Sequence, residues 1–456
     1  MENRNNNPIA EEIIHNNPTG YGLFAGIGDN FNSAAQAICE LADDAISNLR
    51  ANSDDPDLSM TIVVSFENLG DAVEISVVDG GTGITNLDSA LTIACRDGAQ
   101  TPLNEHGFGL KHALASCDSS PSQQWSIRTR TKGDAAADQY REVTAPYSMG
   151  TSEEDQPMKV FFYPGAGGLP YPTGTAVTVR CPMAKFQTVK PDRKAAQSDF
   201  HHLVMYAIEE LRYIYAGVLA DTSITMKVLE VNGGTEKCHI LKPLQPTWEE
   251  GTMKRLENVP YDLGGGQLTI HCRYGNILPT KGNAIYYKGN MTSSGVELRI
   301  NGRAIEHGLF DRVWGEAIHP SQNRFLVQVD LITDNSAALP ATKNTKTSFC
   351  EADPRLNKLF RWIATYVPAP PKDADTIEAR YVKELAAKCE SNPDALRVSR
   401  EEPVFQKIGL KAKVDLFVGC VNGVTIYEAK AGKTKALDLY LSLIHISEPT
   451  RQAEIS

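Results

Sequence analysis

The sequence has no run approaching the ~18 apolar residues that a membrane helix needs. Its nine cysteines, scattered from Cys39 to Cys420, contain no C-x-x-C pair. That argues against a disulfide scaffold or a zinc site, and for a reducing, cytoplasmic setting. The 35 glycines and 25 prolines follow no triplet period, which excludes a collagen-like rod. The opening stretch, MENRNNNPIAEEII, lacks the basic patch and apolar core of a secretory leader. Positive charge is not in excess either. The net charge is -11, which argues against a protein that coats nucleic acid over its whole surface. A local basic groove remains compatible with that balance, and residues 404–440 carry six lysines against three acids.

What is present is a globular composition. The chain has 456 residues, 41% hydrophobic and 22% charged, enough for two to four domains. Apolar residues recur at helical spacing from Asn32 to Leu49, with Asn32 or Ser33 as the N-cap. Residues 60–67 and 72–79 read as a β-hairpin joined by an Asn-Leu-Gly-Asp turn. A polar loop over 84–112 leads into a helix from about Leu110, and strands follow at 124–131, 159–164 and 175–181. Residues 200–220 predict an amphipathic helix with Leu203, Ala207, Ile208, Leu211, Tyr215 and Val218 on one face. Strands are then expected near 224–230, 267–273, 284–288, 295–301 and 325–332, and a helix over 354–367. The Pro-rich stretch 368–376 reads as a linker, followed by a helix at 377–390 and two strands.

A first constellation is suited to a nucleoside triphosphate. Glu40 and Asp44, four apart on one helix, share a face. Asp79, Gly81 and Gly83 stand at a strand end, Gly107 and Gly109 precede a helix that carries Lys111, and Gly174 and Thr175 open a later strand. A carboxylate such as Glu40 can polarise water for attack on a γ-phosphate. Asp44 offers a hard oxygen to Mg2+. Asp79 can accept a hydrogen bond from the exocyclic amine of adenine, and the paired glycines leave backbone N–H groups free to cradle phosphate. GYGLFAGIG (20–28) is also Gly-rich, but no strand precedes it, as a dinucleotide fingerprint would require.

These residues together resemble the GHKL, or Bergerat-fold, ATPases: type II topoisomerases, MutL proteins, the ninety-kilodalton heat-shock chaperones, sensor histidine kinases and the microrchidia group. The family's E-x-x-x-N motif carries Asp44 in place of Asn here, and Ser47-Asn48 replaces its following Asp-Ala. VELRINGRAIE (296–306) and LPATKNTKTSF (339–349) resemble the second domain of the microrchidia group. The resemblance implies ATP and Mg2+ as ligands, Glu40 as catalytic base, and nucleotide contacts from Asp44, Asp79, Gly81, Gly83, Gly107, Gly109, Lys111 and Thr175. It also implies a γ-phosphate-sensing lysine, Lys346 or alternatively Lys343, a lid over about 84–110, and a homodimer formed on ATP binding.

A second constellation lies near the C-terminal end. Asp415 begins one strand, and Glu428 and Lys430, two apart, share a face of the next. Two carboxylates can hold a divalent metal, and the lysine can activate water beside a phosphodiester. The pattern resembles the PD-(D/E)xK nucleases, with basic flanks at Lys407, Lys411, Lys413, Lys433 and Lys435. Glu384 and Glu402 are both candidates for a further acid. Residues 441–456 resemble translated sequencing adapter and are set aside, which leaves this domain incomplete.

The expected fold class is therefore α/β (α+β), without a membrane span. It comprises a flexible arm (1–19), a Bergerat α/β sandwich (20–195), and a transducer-like middle domain (196–367) resembling a ribosomal-protein fold. The linker (368–376) and a partial restriction-endonuclease-like domain (377–440) follow. The expected function is a cytoplasmic ATP-hydrolysing clamp coupled to a metal-dependent DNA nuclease, with prokaryotic restriction or defence as a fold-level analogy. The alternatives are an ATP-gated DNA clamp that does not cleave, a chaperone and a sensor kinase.

Overall fold

A computed structural model describes residues 20–28, 31, 33–95, 101–102, 107–149, 156–192, 196–221, 223–291, 294–370, 377–404, 412–420, 423–427 and 444–446. The arm expected at 1–19 lies outside them. So do the linker residues 371–376. The fold is mixed α/β, and the chain divides into two compact units, the first ending at Ala369, within the Pro-rich stretch.

The first unit opens with helices α1 (Gly20–Gly28) and α2 (Ala34–Ala51) and strands β1 (Ser59–Asn68) and β2 (Ala72–Gly80). Ser33 caps α2, its hydroxyl accepting from the Ala35 amide at 3.2 Å. The β1–β2 turn follows the sequence reading: Asn68 Oδ1 accepts from the Gly70 amide at 2.9 Å, and Gly70 takes a φ of +89°. Then come α3 (Leu87–Leu91), α4 (Gly109–Cys117), β3 (Trp125–Arg130), α5 (Lys132–Ala136), β4 (Gln139–Thr144), β5 (Phe161–Pro164), β6 (Gly174–Pro182) and α6 (Met183–Phe186). Helices α7 (Phe200–Ile214) and α8 (Ala216–Ala220) and strands β7 (Thr225–Asn232) and β8 (Thr235–Ile240) complete this layer.

The strands form one eight-stranded sheet in the order β5-β4-β3-β6-β2-β1-β7-β8. Every neighbouring pair is antiparallel except β1 and β7. Burial alternates along β1 at Ile62, Val64 and Phe66, and helices α2, α4 and α7 cover that face. Ile46, Leu49, Leu203 and Leu211 are fully buried there, and burying each such side chain contributes about 1.5–3 kcal/mol.

This topology corrects the boundary expected at 195. Strands β7 and β8, at 225–240, extend the first sheet, and α7 packs on α2, so the first layer runs well past that position. The helix expected over 200–220 is two helices, interrupted at Tyr215, whose hydroxyl reaches into the core. The loop over 84–112 contains the short helix α3.

The rest of the unit holds β9 (Thr247–Trp248), β10 (Lys254–Asp262), β11 (Gln267–Leu278), β12 (Gly295–Ile300), β13 (Arg303–Glu306), α9 (Phe310–Trp314), β14 (Phe325–Ile332) and α10 (Pro354–Tyr366). Their sheet runs β10-β11-β14-β12-β13, with β9 beside β11. Leu356, Leu359 and Ile363 of α10 pack on Ile270, Leu298 and Val329 of the sheet. The strand expected at 284–288 does not form. The amides of Ala284, Ile285 and Tyr286 all donate to the Glu209 carboxylate, at 2.6, 2.7 and 2.9 Å, instead of to a neighbouring strand.

The second unit holds α11 (Ile377–Glu390), β15 (Ala395–Val404), β16 (Ala412–Cys420), β17 (Gly423–Tyr427) and β18 (Ile444–Ile446). The strands form an antiparallel meander in that order. Val382 and Ala386 of α11 cover Leu416 and Val418 of β16. Within the stretch set aside as adapter-like, Ile444–Ile446 pairs with β17. Among the described residues, no helix is long and apolar enough to cross a membrane.

Candidate active site

The periodicities of two elements build the first site. Along β2, Ile75, Val77 and Asp79 alternate onto the face that the helices cover, so the Asp79 carboxyl is aimed into the helical layer. Along α2, Glu40 and Asp44 are one turn apart and both face the start of α4. A Cβ built on Gly109 would stand 2.7 Å from Glu40 Oε2 and 3.7 Å from both Asp44 oxygens. The carboxylates expected to share a face do share one, and a side chain at 109 would have to displace the Glu40 carboxylate.

Asp44, Asp79, Gly83, Gly107, Gly109, Lys111 and Thr175 line one cavity of about 440 Å³ between the sheet and α2, α3 and α4. Gly81 stands just behind the lining, its amide donating to Asp79 Oδ1 at 2.8 Å. A Cβ there would collide with the Asn48 amide oxygen. Gly83 takes a φ of +75°, and a Cβ would lie 2.5 Å from the Arg130 carbonyl. Gly107 takes a φ of +67° against the Cys95 backbone. Thr175 shares a hydroxyl contact with Thr129 at 3.2 Å, and Thr129 accepts from the Ile84 amide at 2.7 Å, which pins the first turn of the expected lid. Lys111 lines the cavity while donating to the Ala90 carbonyl at 2.9 Å. Lid residues 96–100 and 103–106 lie outside the described residues.

Glu40 is fully buried. Its Oε2 accepts from Lys346 Nζ at 2.9 Å, while its Oε1 is a buried oxygen without a hydrogen-bond partner among the described residues. Of the two lysines nominated from the sequence, Lys346 therefore reaches the site, and Lys343 is exposed. Burial raises the Glu40 carboxyl above the ordinary range, and Lys346 opposes that rise. Burial likewise raises Asp44, opposed by Lys346 and then Lys111. Asp79 is pushed by burial up to about 7, against the pull of the Gly81 and Thr175 amides.

Sequence reasoning missed three members. Asp43 is fully buried, with Oδ1 accepting from Arg303 Nε and from the Tyr215 hydroxyl, both at 2.8 Å, and Oδ2 lying 3.4 Å from Lys346 Nζ. Its spacing of three from Glu40 on a helix was the available signal. Asn48 anchors the Gly81–Gly83 turn, accepting from the Thr82 amide at 3.0 Å and donating to its hydroxyl at 2.8 Å. No local signal marked Arg303.

The donor set suits a nucleoside triphosphate with Mg2+. Mg2+ takes one or two carboxylates and completes its shell with phosphate and water oxygens, so Asp44 alone is a sufficient protein anchor. Among the described residues no group of three or more His, Cys, Asp or Glu is placed to hold a metal by itself.

The second constellation is only partly visible. Asp415 lies on β16 next to Leu416, which pairs with Tyr427 of β17. Glu428 and Lys430 lie outside the described residues, as do Lys407, Lys411, Lys433 and Lys435. Lys413 is on β16, opposite Pro403. Glu402 sits on β15 opposite Val414, and Glu384 is exposed on α11.

No protein-family model matches the sequence, and no curated protein matches it. Among solved structures the chain is similar to one described as the N-terminal domain of a DNA repair protein. The identity is 13% and the TM-score 0.44, covering 76% of this chain and 95% of that one. So distant a likeness carries no argument about function.

Proposed function

We propose that the first unit binds ATP with Mg2+ and hydrolyses it, and that Lys346 reports the nucleotide state to the second sheet. The observation that carries this reading is Glu40: a buried carboxylate with one oxygen on Lys346 and the other without a partner among the described residues, packed behind Gly109 of a glycine-walled cavity that reaches Asp79, although Glu40 itself is not part of its lining. Adenine lies against Asp79, which accepts from its exocyclic amine. The phosphates lie toward the start of α4, where the Gly107 and Gly109 turn brings backbone N–H groups forward. Asp44 would hold Mg2+, which would supply charge neutralisation at the phosphates. Glu40 Oε1 takes the proton of the attacking water, the new P–O bond forms at the γ-phosphorus, and the bond to the β-phosphate oxygen breaks to release ADP. A base raised by burial keeps that proton more readily than an ordinary glutamate.

The wider reading rests on the family resemblance and on residue spacing. Two ATP-bound copies close as a clamp, DNA is the partner, and Asp415, Glu428 and Lys430 form a metal-dependent nuclease. The non-cleaving clamp is the alternative. Glu40→Ala tests the core of the proposal. It should bind MgATP while turnover falls by roughly 10²–10⁴-fold; turnover near that of the wild type would remove Glu40 from the base role.

A further inference from the structure

Two carboxylates hold the ammonium of Lys346, Glu40 Oε2 at 2.9 Å and Asp43 Oδ2 at 3.4 Å. They are not equivalent. Glu40 has its other oxygen unpartnered among the described residues, whereas Asp43 spends its other oxygen on Arg303 and Tyr215. Arg303 in turn donates Nη1 to the main-chain carbonyl of Lys346 at 2.9 Å. One guanidinium thus grips the loop by its backbone and, through Asp43, steadies the head of the same lysine. Lys346 also holds a φ of +49°, a left-handed conformation that a non-glycine residue keeps only where its surroundings impose it. Its amide donates to the Lys343 carbonyl at 2.8 Å, and the Arg303 bond fixes the other side of that peptide turn. None of Glu40, Lys346, Asp43 and Arg303 is among the residues that line the nucleotide cavity; of the four, Glu40 is the one that lies directly behind its wall, against Gly109.

A lysine bound wholly to Glu40 cancels the base that it adjoins. A lysine with a second acceptor can leave the first. We propose that Asp43 and Arg303 are a positioning pair for Lys346, with Asp43 the second station of its ammonium. As the anionic γ-phosphate enters, Lys346 shifts from Glu40 toward Asp43 and the phosphate, and Glu40 is released to take the proton of water. The proposal rests on the hydrolytic reading above and adds residues that touch neither nucleotide nor water.

The test is a double-mutant cycle on the full chain with MgATP as probe, measuring ATP affinity and kcat separately. Arg303→Gln and Asp43→Asn should each lower kcat by roughly tenfold or more while changing ATP affinity by less than about threefold. Asp43→Asn keeps the volume and the hydrogen-bonding shape of the site, so it reads the charge without an added void. In a Lys346→Ala background, either substitution should lower kcat by less than about twofold further, because its effect runs through the lysine. Arg303→Lys should recover part of the loss. Wild-type hydrolysis with unchanged kcat in Arg303→Gln and Asp43→Asn overturns the positioning role alone. Losses that multiply in the Lys346→Ala background also overturn it, since they mark a general structural effect. A wild-type chain that neither binds nor hydrolyses ATP overturns both readings.

Discussion

A methyl group on Gly109 would stand 2.7 Å from Glu40 Oε2, closer than real Cβ contacts allow. The start of α4 and the middle of α2 therefore share a surface where any side chain must displace the Glu40 carboxylate. Gly109→Ala separates packing at the site from helix formation. Its backbone is not left-handed, and alanine is the better helix former by up to about 1 kcal/mol. Thermal unfolding should stay within a few degrees of wild type, while ATP turnover falls by roughly tenfold or more as Glu40 is pushed aside. Calorimetry and a phosphate-release assay on the same sample check both halves.

Asp79 should make nucleotide binding depend on pH. Its carboxyl is pushed up to about 7 by burial, so it is largely ionised only above that. Only the ionised group is an acceptor at both oxygens. ATP affinity is expected to weaken as pH falls from about 8 to about 6, and Asp79→Asn should bind weakly with little pH dependence. Stability runs the other way. The folded value lies above the ordinary 3.8, so this group's stabilising contribution is complete below about 4 and is lost as pH rises through about 7. Asp79→Asn should therefore unfold at a higher temperature than wild type near pH ~8. Titration calorimetry and thermal melts across the range check the two signs.

Lys346→Ala removes the cation that Glu40 and Asp43 share. Breaking a buried pair from one side costs about 3–5 kcal/mol. The loss should be larger near pH ~8 than near pH ~5.5, because Glu40, raised by burial, takes up a proton at the lower pH and relieves the unpaired charge. Denaturant unfolding at the two pH values measures this, and equal losses would contradict the assignment.

Lys430→Ala should abolish metal-dependent DNA cleavage and leave ATP hydrolysis unchanged. Plasmid nicking and phosphate release, followed in parallel, check this. If Asp415→Ala and Glu428→Ala leave every activity unchanged, the non-cleaving clamp becomes the preferred account.

Much of the first site was legible because its chemistry sits on regular elements. The helical period put Glu40 and Asp44 together, and the strand period turned Asp79 inward. Glycines at 81, 83, 107 and 109 stood where a side chain has no room. What stayed hidden depends on contacts across the fold. Asp43 and Arg303 are 260 positions apart, and neither has a motif of its own. Residues 284–288 are β-rich in composition, but their amides are claimed by a carboxylate on α7, which no local window can see. The boundary at 195 failed for a related reason. A polar stretch does interrupt the chain there, yet the strands beyond it return to the sheet that the earlier residues began.

That return limits how the molecule can be divided. β7 lies parallel to β1, pairing along Thr61 to Glu67, and α7 packs on β7 and on α2. A fragment stopping at residue 195 would carry every residue that lines the cavity of about 440 Å³, yet it would leave β1 as a raw edge and strip Leu203, Ala207 and Leu211 from its core. The smallest piece that could be transplanted, recombined into another protein or inherited as a unit therefore extends at least to Ile240. The cavity and the first stretch of chain beyond it travel together.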